Sequence, residues 1–215
     1  MLRKVVVVAP PSPSKICVYC NQSINSSVIL CGFCQKLQPF PSPAPTFFEV
    51  FNLPLSLKID EMALRQAFYE LSQKTHPDTQ TQADDFVQMQ AAKWSIYINK
   101  AFQTLKSTSA RLDYILELNG TSLKSSSPPP TELAESYFDL QEALLEGSDD
   151  KAISDFLGKL ETEERKLEAD WQRLSSEWEQ SPAKDNLLSQ LKLFKDTQKY
   201  ISSLKADLSK RKGVL

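Results

Sequence analysis

Four cysteines, all that the 215-residue chain contains, lie within "CVYCNQSINSSVILCGFC". Cys17 with Cys20 and Cys31 with Cys34 form two C-x-x-C pairs separated by ten residues. Each such pair makes a tight knuckle that offers two sulfurs to one ion, and a hairpin between the pairs lets all four converge, which is what a tetrahedral thiolate zinc site requires. Gly32 is expected to give its knuckle a positive φ. With four thiolates committed, the ion has no open coordination position, so the expected zinc is structural and not catalytic. Two disulfides or a thioredoxin-like redox pair are the alternatives. A reducing cytosol disfavours the first, and the lack of a βαβ pattern around either pair argues against the second.

The second group with chemical potential is "QKTHPDTQTQ", residues 73–82, which holds the only histidine. Pro77 restricts His76 to extended conformations and fixes its own φ, so an imidazole and the carboxylate of Asp78 are offered at low ordering cost. These residues alone read equally as a recognition tip or as a helix stop followed by an Asp-assisted turn. The rest of the chain lacks the makings of an enzyme: there is no second histidine for a catalytic metal, no Ser-His-Asp set and no glycine loop to bind a nucleotide.

Composition narrows the partners. Twenty-five basic against 27 acidic residues give a net charge of -2, which provides no electrostatic reason to expect nucleic acid or an anionic membrane. The run "VVVVA" near the start is too short for a membrane span or a secretory core. The leader "MLRKVVVVAPPSPSK" lacks the Arg-rich amphipathic pattern of a mitochondrial presequence. A bacterial cytoplasm is the simplest expectation, or the mitochondrial matrix for a processed eukaryotic form.

The elements that must position these groups are mostly helical. Gly is scarce, with 5 residues, and 41% of the chain is hydrophobic, so an all-α protein with real cores is expected. "LQPFPSPAP" and "NGTSLKSSSPPP" cannot continue helices and read as linkers. The resulting division is a flexible terminus (1–14), the four-cysteine module (15–36), a linker (37–45), a helical domain (46–119), a linker (120–130) and a carboxy-terminal domain (131–215). In the helical domain, Asp60 is placed to cap a helix running to about Thr75 with a stripe of Leu64, Ala67, Phe68 and Leu71. A longer helix over about 83–107 carries Val87, Ala91, Trp94, Ile98, Ala101 and Leu105 at alternating four- and three-residue steps. The two form a hairpin with His76, Pro77 and Asp78 in its loop. A further helix over 109–118 has Gly120 as its stop. Three amphipathic helices then predict a three-helix bundle, with Phe138 and Leu193 off the core stripes and available for contact.

An HPD tripeptide in the loop of a helical hairpin resembles the J domain of DnaJ-type co-chaperones. "FFEVFNLP", "THPD", "INKAFQTLKSTSARLDYILELNG" and "YFDLQEALLE" make the chain similar to the HscB (fungal Jac) family of J-domain proteins, and the four-cysteine module resembles one attached to some members. The resemblance implies a J domain that docks on an HscA- or DnaK-type chaperone and stimulates its ATPase, and a bundle that delivers the IscU-type scaffold for iron–sulfur cluster assembly. It assigns chaperone binding to His76, Pro77, Asp78, Arg65 and Lys74. It assigns scaffold binding to Ala134, Phe138, Glu142 and Leu193. Glu70 and Thr79 dilute the positive charge usual near the tripeptide, and Thr75 stands where an aromatic is common, so steering toward an acidic chaperone face is expected to be weaker. A generic J-domain co-chaperone with another client is the competing expectation, and a C-x-x-C thiol oxidoreductase a more distant one.

Overall fold

The computed structural model describes residues 14–25, 27–76, 84–147, 149–181 and 185–212. The chain divides into two compact units between Arg111 and Leu112. That division falls ahead of the proline-rich stretch 120–130, and each unit is built on a different principle.

Unit 1 begins with two small hairpins. Strands β1 (Ser14–Ile16) and β2 (Ser23–Asn25) pair antiparallel around the first C-x-x-C, and Leu30 bridges to Leu37 around the second. The helices follow: α1 (Phe47–Val50), α2 (Glu61–Thr75), α3 (Asp85–Lys106) and α4 (Thr108–Leu118), the last crossing the division. Local chemistry sets their ends. Thr46 and Glu49 form a reciprocal capping box on α1, Asp60 accepts from the amides of Met62 and Ala63 at α2, and Asp84 accepts from Val87 N–H at α3. α4 stops in a Schellman turn, with Gly120 at φ +74, its N–H on Glu117 C=O and that of Thr121 on Leu116 C=O.

α2 and α3 lie against each other as the expected hairpin. Leu64 of α2 and Ala91, Trp94, Ile98, Ala101 and Leu105 of α3 are buried, and Phe68 stacks on Phe102 with centroids 4.1 Å apart. Thr75, at the position where an aromatic is common, is fully buried and turns its hydroxyl back to Leu71 C=O. Arg111 is buried at the other end. Its Nε donates to Leu57 C=O and its Nη1 to Leu105 C=O, so a cation holds two carbonyls that no helix satisfies. Desolvation lowers its pKa, countered by the field of Glu61.

The stretch 37–45 forms no helix, yet it is no free spacer. Leu37, Gln38 and Pro45 are buried, and Phe40 sits edge-on to Trp94 and Tyr97. It is a strap laid along α3.

Unit 2 holds α5 (Thr131–Leu145), α6 (Asp149–Gln180) and α7 (Asp185–Lys212) as a three-helix bundle. The expected stripes supply its core: Leu133 and Leu140 from α5, Phe156 and Leu160 from α6, Ile201, Leu204 and Leu208 from α7. Burial of each such side chain is worth about 1.5–3 kcal/mol. Farther along, Leu174, Trp178 and Leu191 are also buried, and Trp171 stacks on Phe194. Here too the proline-rich stretch is fastened. Lys192 donates to Ser125 C=O at 2.6 Å, and Asp196 accepts from Ser127 N–H at 2.8 Å while pairing with Lys192.

Candidate functional site

The two C-x-x-C knuckles are near copies of one another. In the first, Cys17 N–H donates to Gln22 C=O, Asn21 N–H to Cys17 C=O and Tyr19 N–H to Cys17 Sγ; in the second, Cys31 N–H donates to Lys36 C=O, Gln35 N–H to Cys31 C=O and Phe33 N–H to Cys31 Sγ. The positive φ that this turn needs does not fall on Gly32. It falls one residue after each second cysteine, at Asn21 (φ 57) and Gln35 (φ 58), because there the chain must reverse to bring its amide back to the first cysteine's carbonyl.

The four Sγ atoms lie within 4.8 Å of one another, and no disulfide joins them. The short approaches run across the pairs, Cys17 to Cys34 at 3.7 Å and Cys20 to Cys31 at 3.6 Å. Four sulfurs each about 2.3 Å from a central ion stand about 3.8 Å apart, so the donor set fits one tetrahedral metal ion. The convergence of both pairs on one point sets this centre apart from two independent redox pairs. The thiols also compete for charge. At Cys17 burial raises the pKa, but hydrogen bonds from the Tyr19 and Cys20 amides and from neighbouring thiols outweigh it and bring the group to about 6. Cys20 has the amide of Gln22 as an opposing influence, yet burial and the surrounding cysteines push it up to about 12. One thiolate forms readily and makes the next unfavourable, a conflict that a bound cation resolves.

The helical tip is the second candidate. α2 ends at His76, which is exposed with φ −63 and ψ 133, the extended backbone that a following proline imposes. Pro77 and Asp78 lie outside the described residues, as does Thr79. Arg65 and Lys74 are both exposed on α2, but they are about two and a half turns apart and so project from opposite flanks of the helix. Between those flanks the outward row contains Met62, 83% exposed, and Tyr69, 63% exposed. In the sequence their signal is two large apolar residues off the core stripe of α2, which the charge pattern of the helix does not show.

On α5, Ala134 is half-buried, Phe138 is 70% exposed and Glu142 is exposed, and their four-residue spacing sets them in one row. Leu145, unremarked in the sequence, continues that row and is 89% exposed. Leu193 is placed differently. It is partly exposed on α7 and lines a groove of about 280 Å³ with Pro130, Leu167 and Arg173, so the four residues assigned to the scaffold occupy an α5 row and an α6–α7 groove.

A helical hairpin with a histidine ending its first helix, followed by a three-helix bundle, matches the J-domain type of co-chaperone that the sequence resembles. No family model matches the chain. The co-chaperone protein HscB homolog of Ralstonia nicotianae is 30% identical over 130 residues, covering 58% of this chain and 73% of that relative. The homolog of Cupriavidus taiwanensis is 30% identical over 110 residues, 50% of this chain and 62% of the relative, and that of Aromatoleum aromaticum 35% identical over 74 residues, 34% and 42%. The chain belongs to the HscB co-chaperone family. Its fold is similar to the crystal structure of human co-chaperone protein HscB, with a TM-score of 0.65 at 20% identity over 94% of this chain and 100% of that one.

Proposed function

We propose that this protein docks on an HscA- or DnaK-type chaperone, stimulates its ATPase, and delivers an IscU-type scaffold to it during iron–sulfur cluster assembly. The presentation of His76 at the end of α2, directly before Pro77 and Asp78, carries this reading. His76, Pro77 and Asp78 engage the chaperone, with Asp78 as the carboxylate for a chaperone arginine. Arg65 adds charge beside Met62 and Tyr69, and Lys74 contacts the partner from the other flank. Ala134, Phe138 and Glu142 form the scaffold-facing row, extended by Leu145, and Leu193 provides a second apolar contact. The chain catalyses nothing itself; the hydrolysis belongs to the chaperone. Cys17, Cys20, Cys31 and Cys34 hold structural Zn²⁺, whose chemistry here is to bind four thiolates without redox change. The bacterial cytoplasm is the compartment this reading assigns. No described helix is long and apolar enough to cross a membrane.

The test is ATP turnover by a purified HscA- or DnaK-type chaperone with and without an IscU-type scaffold. The wild-type protein is expected to stimulate synergistically with scaffold, and His76→Gln to abolish the effect. Stimulation that ignores the scaffold would leave a co-chaperone with another client. No stimulation of any candidate chaperone by the folded protein would defeat the proposal.

A further inference from the structure

The four-cysteine module has almost no core of its own. Cys17, Ile24 and Cys31 are its buried cluster, with Cys20 and Cys34 against them, so without an ion the two hairpins have little to hold them closed. The module is nevertheless wired into the helical hairpin. The route begins at Gln38, which is fully buried. Its N–H donates to Ile29 C=O at 2.8 Å and its side-chain Nε2 to Lys36 C=O at 3.0 Å, both within the second knuckle hairpin. Its carbonyl accepts the indole N–H of Trp94 at 2.8 Å. Two residues on, Phe40 N–H donates to Gln90 Oε1 at 2.8 Å, and the Phe40 ring lies edge-on to Trp94 with centroids 4.7 Å apart. The Tyr97 hydroxyl then closes on Pro45 C=O.

We infer that the metal-loaded module is a brace for α3, and that metal occupancy is transmitted through the strap to Gln90, Trp94 and Tyr97. The inference rests on the four cysteines holding a metal ion. Loss of the ion opens the second knuckle and releases Gln38 from Ile29 and Lys36. The strap then no longer fixes the carbonyl that satisfies the Trp94 indole. That N–H is buried in the hairpin core, and a buried donor deprived of its acceptor shifts the local opening equilibrium by about tenfold. The amino-terminal half of α3 is the helix segment that follows the His76–Pro77–Asp78 tripeptide. The module therefore makes the stiffness of the J hairpin depend on metal. Trp94, Gln90 and Tyr97 are its positioning residues.

The experiment is amide hydrogen exchange on the full-length, reduced, zinc-loaded chain before and after chelation, with released zinc assayed in the same sample. Zinc should leave, exchange over residues 84–98 should quicken about tenfold, and exchange in α5, α6 and α7 should not change. Trp94→Phe and, independently, Tyr97→Phe should keep the wild-type zinc stoichiometry but show a smaller response of α3 to chelation. Tyr97→Phe removes only a hydroxyl and guards against a misfolded tryptophan variant. If zinc leaves and α3 exchange is unmoved, the module is a free appendage and the brace is refuted while the metal site stands. Equal responses in wild type and both variants would refute transmission through the strap. A reduced wild-type chain that takes up no zinc would overturn the metal site itself, and the brace with it.

Discussion

The cysteine module and the carboxy-terminal bundle solve the same problem with opposite means. The bundle closes on seven buried apolar side chains drawn from three helices, whereas the module's buried cluster is Ile24 and two cysteines. Burial of hydrocarbon stabilises the first whatever the solution holds, because the driving force is removal of surface from water. On the proposed metal binding, the second is stable in proportion to its ligand, since chelation energy and folding energy would there be the same quantity. With that ion bound as proposed, one chain would contain a part whose stability is set by sequence alone and a part whose stability is set by sequence and by metal supply.

The sharpest way to break that comparison is to take the ion away. Chelation forfeits a binding free energy of about 10–16 kcal/mol for a structural zinc of this kind. Residues 14–36 should lose dispersed amide resonances while the helical circular dichroism of α5, α6 and α7 persists. Acid should act in the same direction. A thiol held at about 6, as Cys17 is, gives stability that is present above the ordinary thiol range and lost as pH falls through 6, and Cys20, pushed up to about 12, must release its proton to bind metal. Zinc affinity should therefore fall steadily from pH 8 to pH 6, measured by competition with a chromogenic chelator. Uniform affinity across that range would mean that the thiols do not titrate as their surroundings dictate.

The next largest effect belongs to the bundle. Leu160→Ala removes a side chain that is 1% exposed at the meeting of three helices and should cost about 3 kcal/mol in urea unfolding, equally with and without chelator. A chelator-dependent cost would show that the two parts are not independent in this respect. The smallest effect sharpens the contrast between core and surface on one helix. Phe138→Ala should change unfolding free energy by less than about 0.5 kcal/mol, because the ring is 70% exposed, yet it should weaken the scaffold-dependent part of chaperone stimulation. Loss of stability without loss of stimulation would return Phe138 to the role of an edge residue.

The helices were legible in the sequence because each announces its buried face by spacing and its start or stop by a single residue, as Asp60 and Gly120 do. The knuckles were legible because ligand spacing is itself the constraint. The strap was not. Its proline content excludes a helix there, but composition does not say whether such a segment is solvated or laid against a helix. The deciding bonds use the main-chain carbonyl of Gln38 and amide of Phe40, groups that every residue of those types carries. The fastening of 125–127 to α7 escaped notice for the same reason, since Lys192 and Asp196 look on paper like any i,i+4 surface pair. Of the exposed apolar residues, Phe138 is legible in the sequence because it breaks a stripe. Leu145 was missed because it sits at the end of its helix, where periodicity no longer distinguishes a core position from a bare one.

The distribution of tryptophan has an optical consequence. Of the three indoles, two belong to the bundle, and Trp94 alone reports from unit 1, fully buried and with its N–H on the Gln38 carbonyl. Indole emission depends on the polarity and hydrogen bonding around the ring. With Trp171 and Trp178 exchanged for phenylalanine, the chain would carry one native chromophore placed at the junction between the strap and the hairpin, and its colour would read out the state of that junction without any added label.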